Sequence, residues 1–325
     1  MMNVPAPLPP DEPTSPPLSP FVFPTDLSEW VQKLEPPFFL YDVERFKRDL
    51  ASVLSAFDGY YYPLKANPHR RLIQTVLEAD GGLDACSPTE LELAMDAGAC
   101  GHDISYCSVI YTADLVDRLA ALDISVTLNT LCDLRLWLER HPGNAVSLRI
   151  EATRDGNAYG DKFGFSPPQL KEAVALLESH GTPLAGLHIH TTHVADPGIF
   201  ITRLQPLASA MVTLHQFAPD MRRVNLGGGG PVRYERPFSP DMPRAYAKSV
   251  KDLLAPELSG LGFNGRYVVE PGDAVLPSET NRLPRRQSLP PPTLPWTLFV
   301  PRSLCRHRLL ETSSCSGRQA ATCPA

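Results

Sequence analysis

A lysine follows a β-rich run near the start of the chain and could carry covalent chemistry. It is Lys65, in "GYYYPLKAN" (59–67). A buried lysine is costly unless it is paired or used. Beside Tyr61 and Tyr62 we expect the pKa of its ammonium group to fall, which would make the amine a nucleophile toward an aldehyde. A lysine that only reaches solvent at a strand end would give the same pattern, so Lys65 alone decides nothing.

A run of four glycines, 227–230, directly follows the apolar segment "RRVNL". Glycines in such a place let backbone N–H groups turn toward an anion, commonly a phosphate. A flexible turn is the alternative. Four consecutive glycines favour the anion site.

Histidines cluster in and after "GLHIH". We interpret His188 and His190 as pointing to opposite faces of a strand, one stacking on a ring and the other facing a helix layer. This interpretation predicts no metal pair. His193 follows at the strand end.

Three acids complete the polar set. Glu270 in "VVEPGD" ends the last β-rich run, where a carboxylate could keep a pyridine nitrogen protonated. A surface acid before a Pro-Gly turn is the alternative. Asp84, within a strand, could orient a neighbour, and Glu90 could be only a helix cap.

The elements that must position these residues alternate between strand and helix. The eight β-rich runs are 59–67, 81–87, 103–109, 125–130, 145–152, 184–193, 222–230 and 265–276. Helical patterns between them include 89–98, 112–123, 131–141 and 167–181, the first with Ser87 as its cap and Glu90 as capping-box partner. Eight near-equal repeats favour a (β/α)8 barrel, an α/β TIM barrel, over a doubly wound open sheet. In such a barrel the chemistry sits where strands end.

Composition narrows the class of protein. The 325 residues carry a net charge of -6, which argues against a nucleic-acid binder. No apolar run predicts a transmembrane helix, and the N-terminus predicts no secretory signal. The seven cysteines form no C-x-x-C pair, which predicts no zinc site. Those before residue 276 suit a reducing compartment, so we expect a cytoplasmic protein.

Composition also divides the chain into three zones. Residues 1–24 hold nine prolines and predict a disordered leader. Residues 25–276 are globular in composition and form the predicted barrel. Residues 277–325, a low-complexity Pro/Arg/Ser tail with a net charge of +5, show no period beyond "WTLFV". A native disordered tail or a shifted reading frame would explain that tail.

The motifs together resemble the fold-type III pyridoxal-phosphate decarboxylases, the diaminopimelate, ornithine and arginine decarboxylase group. The similar segments are "YYPLKANP", "GLDACSPTELELAMDAG", "DKFGF", "GLHIH", "NLGGGG" and "EPG", in the family's order over about residues 37–276. Six motifs in order, each at a strand end or helix start, are highly specific. The resemblance implies a barrel of the alanine-racemase-like type.

The resemblance also implies roles. Lys65 would hold pyridoxal 5'-phosphate as an internal aldimine, and His190 would stack on its ring. Glu270 would pair with the pyridine nitrogen. The remaining residues that it places at the cofactor are Asp84, His193, Gly228, Gly229, Gly230 and Gly272. The small-molecule substrate would be an amino acid, diaminopimelate-like or another diamino acid, and the family's assembly would be a homodimer.

Two departures from the family's pattern keep the substrate open. Thr191-Thr192-His193 stands where x-Gly-Ser is common, and Asp273 stands where an arginine meets the phosphate. The acid resembles the carboxynorspermidine decarboxylase branch, whereas "KFGF" resembles the diaminopimelate branch. Family members continue into a β-rich domain with a Cys-x-Ser-x-Asp-type motif, which 277–325 lacks. We therefore expect a truncated or frame-shifted member with impaired activity; a non-catalytic homologue acting as a regulatory partner is the alternative.

Overall fold

The computed structural model describes residues 39–152, 163–191, 201–215, 217–228, 241–258, 263, 265–272 and 297–299. Contacts divide the chain into two units, one of Met1–Pro16 with Lys47–Leu276 and one of Pro17–Phe46 with Pro277–Ala325. In the smaller unit, strand β1 (Phe39–Tyr41) pairs antiparallel with β10 (Thr297–Phe299). β10 lies in the "WTLFV" run; neither strand was predicted. The zone boundaries at 24 and 276 stay predictions.

Eight parallel strands of the larger unit close into a barrel, each pairing with the next and the last with the first. They are β2 (Gly59–Pro63), β3 (Gly82–Ala85), β4 (Ile104–Tyr106), β5 (Ser125–Leu128), β6 (Val146–Ile150), β7 (Leu184–Ile189), β8 (Arg223–Asn225) and β9 (Arg266–Val269). Each strand lies within one of the eight predicted runs. The barrel prediction is therefore confirmed, and the open sheet is excluded.

Helices connect the strands and cover the barrel. Those described are α1 (Val43–Ala56), α2 (Arg70–Glu78), α3 (Pro88–Asp96), α4 (Ala113–Ala121), α5 (Leu131–Arg140), α6 (Pro167–Ser179), α7 (Gln205–His215) and α8 (Met242–Leu258). The four predicted helical patterns correspond to α3, α4, α5 and α6. Among the described residues, no helix is both long and apolar enough to cross a membrane.

The start of α3 shows how the sequence fixes one of these boundaries. Ser87 Oγ accepts the backbone N–H of Glu90 at 3.2 Å, as its predicted capping role requires. The Glu90 carboxylate accepts the backbone N–H of Cys86 at 2.7 Å, one residue earlier than in a standard capping box. Gly98, just beyond the helix, takes a φ of 106°, which an L side chain rarely adopts. Glu90 therefore ties α3 to the end of β3.

Polar side chains share one face of the barrel wall. The register pairs Asp84 with Ser105, Arg149 with His188, and His188 with Asn225. Paired residues of neighbouring strands point to the same side of a sheet. Glu270 follows β9 and lies close to His188. The buried interior therefore carries charged and hydrogen-bonding groups rather than the branched aliphatic layers common in such barrels.

Candidate active site

Lys65 lies in the turn that follows β2, at the rim where the parallel strands end. The backbone N–H of Leu64 donates to Asp84 O at 2.9 Å, and that of Ala66 donates to Pro63 O at 3.0 Å, so the turn is tied to β3 and to itself. The Lys65 Nζ lies 3.8 Å from Asp84 Oδ2. The lysine side chain is 49% exposed and the aspartate side chain 4%. A reachable amine thus stands beside a buried carboxylate.

The charge state of Lys65 differs from the sequence expectation. Burial lowers the pKa of Lys65, but the negative charges of Asp84 and Glu270 outweigh it, so the pKa lies above its ordinary value. The prediction that this pKa falls is therefore wrong for the protein alone. Burial raises the pKa of the Cys86 and Cys107 thiols to about 12, so these two neighbours of the amine are uncharged.

Two buried acids act electrostatically on Lys65. Burial and the charge of Glu270 raise the pKa of Asp84 well above its usual range. Burial also raises the pKa of Glu270, although the charge of Lys65 and a hydrogen bond from Asn225 act in the opposite direction. Both acids are about 3% exposed. Two buried carboxylates and one half-exposed amine are groups that can exchange protons.

His188 and His190 lie on the same side of the chain. Their ring centroids are 6.2 Å apart, and the ligand atoms of His188, His190 and Glu270 all lie within 4.8 Å of one another. The interpretation that the two rings face opposite sides is wrong, because side chains two residues apart in a strand share a face. The expectation of no metal pair depended on those opposite faces, so this argument against a metal pair does not hold.

A hydrogen-bond chain links the ends of β7, β8 and β9. Asn225 Nδ2 donates to Glu270 Oε1, and the backbone N–H of Gly227 donates to Asn225 Oδ1 at 2.9 Å. The backbone N–H of Glu270 donates to Gly227 O at 2.9 Å, and that of Gly228 donates to His190 Nδ1 at 3.3 Å. Glu270 and His190 are thereby held at fixed places on the rim.

Three glycines of the site stand where neighbouring atoms leave no space for a side chain. Gly227 has a φ of 68°, and a Cβ there would lie 2.3 Å from Ile189 O. A Cβ on Gly228 would lie 2.9 Å from Glu270 O, and one on Gly272 would lie 3.0 Å from both Ala66 Cβ and Pro63 Cγ. Gly272 therefore packs against the turn that carries Lys65. The predicted cofactor residues His193, Gly229 and Gly230 lie outside the described residues.

The profile of the family described as "Pyridoxal-dependent decarboxylase, pyridoxal binding domain" matches residues 42–276. This chain belongs to the pyridoxal-dependent decarboxylases. Diaminopimelate decarboxylase of Streptomyces coelicolor is 30% identical over 252 residues, which cover 73% of this chain and 56% of that protein. The chain thus spans little more than half the length of that relative.

Solved structures of the family share the fold. The diaminopimelate decarboxylase of Helicobacter pylori complexed with L-lysine matches with a TM-score of 0.65 and 22% identity, over 77% of this chain and 66% of that one. That of M. jannaschii in complex with L-lysine gives 0.69 and 18%, over 76% of this chain and 63% of that one. At these identities the likeness shows the barrel fold alone.

The residues of this pyridoxal-dependent decarboxylase fit the family's cofactor, pyridoxal phosphate. Lys65 offers an amine for its aldehyde, and Glu270 a carboxylate for its pyridine nitrogen. Gly227 and Gly228 bring backbone close where no side chain could fit. Asp84 Oδ1 is buried and, within the described part of the chain, has no hydrogen-bond partner. Such an orphaned acceptor is expected where a further polar group completes the site.

Arg149, which the sequence motifs do not single out, contributes a half-buried positive charge to this site. Its positive charge lowers the pKa of His188 and His190 and acts on both buried acids. The guanidinium lies 5.4 Å from the ring centroid of Phe163, in the "DKFGF" motif. The alternation in "AVSLRIEA" would have revealed it, since Ser147 and Arg149 share the face opposite three aliphatic residues.

Phe163, Gly164 and Phe165 form a short strap beside β6. The backbone N–H of Phe165 donates to Arg149 O at 2.8 Å, and that of Glu151 donates to Phe165 O at 3.1 Å. Gly164 has a φ of 104°, and a Cβ there would lie 2.6 Å from the carbonyl carbon of Ile150. The glycine of the motif therefore lets the strap close onto β6 and brings Phe163 over Arg149.

Proposed function

We propose that this chain binds pyridoxal phosphate covalently through Lys65 and removes the carboxyl group of an amino acid, most closely a diaminopimelate-like diamino acid. The observation that carries the proposal is the meeting of the Lys65 amine, the Asp84 carboxylate and the charge of Glu270 at one rim of the barrel. This is the end of a TIM barrel at which active sites are found.

The cofactor, when bound, accepts the electron pair that the substrate retains as its carboxylate leaves as CO₂. Glu270 would face the pyridine nitrogen, and an ionised carboxylate there favours a protonated ring. Asn225 donates to Glu270 Oε1 and so favours the ionised form. His190, held by the backbone N–H of Gly228, would lie against the ring.

Asp84 would accept the proton that the Lys65 amine must lose before it can react. The amine must be uncharged to attack an aldehyde, yet its pKa is raised in the protein alone. Asp84 Oδ2 lies 3.8 Å from Nζ, and burial and the charge of Glu270 raise the pKa of this acid. An acid with a raised pKa is a better proton acceptor, so Asp84 can take the proton that Lys65 gives up.

The substrate proposal has support from the relative that is 30% identical, a diaminopimelate decarboxylase. Two solved relatives were crystallised with L-lysine, a diamino acid. The carboxynorspermidine decarboxylase alternative depends on Asp273, which lies outside the described residues. The homodimer and the cytoplasmic location stay predictions.

Reconstitution with the cofactor tests the proposal. Purified chain is mixed with pyridoxal phosphate, reduced with borohydride and mapped by peptide mass spectrometry. The expected result is a visible absorption band before reduction and the added mass on the peptide that contains Lys65. Lys65→Ala should lose both, whereas Lys171→Ala, at an exposed site on α6, should keep them. A band that survives in Lys65→Ala would contradict the role of this lysine.

Measuring the release of CO₂ then shows which of the candidate substrates the protein decarboxylates. meso-Diaminopimelate, ornithine, arginine and carboxynorspermidine are supplied to the reconstituted protein, and CO₂ is measured. Release from diaminopimelate above the others supports the proposed substrate. Release from carboxynorspermidine alone would move the chain to that branch, and cofactor binding without any release would favour the non-catalytic homologue.

A further inference from the structure

His188 is a buried histidine whose ring has no hydrogen bond. It is 2% exposed, and neither Nδ1 nor Nε2 has a hydrogen-bond partner in the part of the chain that the structure describes. Leaving two buried ring nitrogens unsatisfied costs free energy, and an aliphatic side chain would avoid that cost. A polar ring at this place therefore calls for an explanation beyond packing.

The polar atom facing His188 belongs to Glu270. His188 Nε2 lies 3.6 Å from Glu270 Oε2, just beyond hydrogen-bond distance, and both side chains are 3% exposed. The other oxygen, Oε1, already accepts from Asn225 Nδ2. The carboxylate thus lies between an amide on β8 and an imidazole on β7, and a small approach of the ring would complete a second hydrogen bond.

The backbone leaves room for that approach. Gly227 runs past the ring, and a Cβ on this residue would lie 3.2 Å from His188 Nε2. The same glycine donates its N–H to Asn225 Oδ1 at 2.9 Å and accepts from the backbone N–H of Glu270 at 2.9 Å. Gly227 therefore holds Asn225 and the backbone of Glu270 in place, and its missing side chain leaves space beside the His188 ring.

The imidazole beside Glu270 is neutral. Burial lowers the pKa of His188 well below its usual range, and the positive charges of Arg149, Lys65 and Arg223 lower it further. A neutral imidazole carries one N–H and one acceptor nitrogen. An N–H on Nε2 is the tautomer that stabilises an ionised Glu270, because a lone pair in that place would repel the carboxylate.

We propose that His188 is a positioning residue that donates from Nε2 to Glu270 Oε2 and, together with Asn225, holds this carboxylate ionised against the cofactor's pyridine nitrogen. The inference rests on the proposed function, since it assigns Glu270 to the pyridine nitrogen. His188 acts through Glu270 and makes no contact of its own with reacting atoms.

Other ionisable groups also act on Glu270 and must stay constant in any test. Seven such groups lie among the described residues, on or just after six of the barrel strands. They are Tyr60, Lys65, Asp84, Cys107, Arg149, His190 and Arg223. Substituting His188 alone leaves all of them in place.

The first test is the pH dependence of cofactor binding. The dissociation constant of pyridoxal phosphate is measured across acidic and neutral pH for wild type, His188→Leu and His188→Gln. Without a donor, Glu270 protonates at higher pH, so the acidic limit of binding in His188→Leu should move up by about one pH unit, with about tenfold weaker binding near that limit. His188→Gln keeps an amide donor and should recover most of the shift.

Ile189→Val is the matched control, because Ile189 is buried on the same strand and points to the opposite face. It should lower stability slightly and leave the acidic limit where it is. If His188→Leu weakens binding equally at every pH, the residue is only structural and the inference fails, while the proposed function stands.

The second test needs no cofactor. Urea unfolding of the apoprotein is followed across pH for wild type, His188→Leu, Glu270→Gln and the double variant. Losing the donor should raise the pKa of Glu270 and extend to higher pH the range in which stability falls as pH rises. His188→Leu also removes the titration of His188 itself, equally in both backgrounds, so the extension is measured as the effect of His188→Leu in wild type minus its effect in Glu270→Gln.

The two tests fail in different ways. Wild type that binds no pyridoxal phosphate overturns the proposed function and the cofactor role of His188. An effect of His188→Leu that is the same at every pH in the wild-type and Glu270→Gln backgrounds overturns the assignment of Glu270 as the acceptor.

Discussion

The Nζ of Lys65 and the Oδ2 of Asp84 lie 3.8 Å apart, and the other aspartate oxygen has no hydrogen-bond partner among the described residues. Asp84 is fixed in β3, whereas Lys65 stands in a turn whose backbone is tied to the same strand. The backbones of Asp84 and Lys65 are therefore held at a fixed separation. The charge of Asp84 is the largest contribution that raises the pKa of Lys65.

Replacing Asp84 with Asn should make Lys65 lose its proton at lower pH. Removing the negative charge lowers the pKa of the amine, because the charge of Asp84 is the largest contribution that raises it. The measurement is the rate of covalent capture of pyridoxal phosphate as a function of pH. Asp80→Asn, at an exposed turn, is the control. An unshifted rate profile in Asp84→Asn would show that the ion pair does not set the charge of Lys65.

Gly227→Ala should damage the site beyond the cost of its backbone conformation. Gly227 and Gly181 have φ values of 68° and 61°, but a Cβ on Gly227 would lie 2.3 Å from Ile189 O while a Cβ on Gly181 meets nothing within 4 Å. Gly181→Ala should cost about 1 kcal/mol from its positive φ alone. Gly227→Ala should cost about 3 kcal/mol, because overpacking adds to the strain.

Urea unfolding at neutral pH measures both free energies of unfolding. Cofactor affinity should fall only in Gly227→Ala, since only that glycine contacts the groups that hold Glu270. Equal losses in the two variants would mean that the backbone near Ile189 moves aside and that the close approach is not required.

The sequence predicts the barrel well because its eight strands are short apolar runs at regular intervals. It also predicts that Lys65, Asp84, His190, Gly228 and Glu270 lie near one another, since each comes at or near a strand end and those ends meet at one rim. The expectation of opposite faces for His188 and His190 is wrong on local geometry alone, because the period of a strand places residues 188 and 190 on one face.

Other features depend on distances that a sequence does not contain. The sequence predicts a lowered pKa for Lys65 because only Tyr61 and Tyr62 are near it along the chain, whereas the structure brings Asp84 and Glu270 near it in space. Arg149 is distant in sequence from every predicted site residue, and the barrel closure brings its charge to them. Strand β10 pairs with β1 across more than 250 residues, which no local pattern indicates.

Zinc should not compete with the cofactor, although His188, His190 and Glu270 could offer three ligand atoms within 4.8 Å of one another. Burial lowers the pKa of both histidines most, and the positive charges of Arg149 and Lys65 lower it further. The same two positive charges would repel a metal cation. The dissociation constant of pyridoxal phosphate should therefore be equal with zinc and with a chelator. Weaker binding in zinc, abolished by His190→Gln, would instead reveal a competing metal site.

His190 should make the apoprotein sensitive to acid. Burial and the charges of Lys65 and Arg149 lower its pKa to about 3, against 6.5 as its ordinary value. Because the folded pKa is depressed, the unfolded chain binds the proton first as pH falls, so the stability is present above pH 6.5 and is lost progressively below it. The loss from this one residue should reach about 2 kcal/mol at about pH 5.

His190→Gln removes this titration while keeping a side chain that can accept from Gly228. The difference between the unfolding free energies of wild type and variant should therefore decrease as pH is lowered from neutral. His188 remains in both proteins and cancels from the difference, and His102→Gln, at an exposed site, controls for removal of an imidazole. Parallel stability curves for wild type and His190→Gln would mean that the ring is solvated when the barrel is empty.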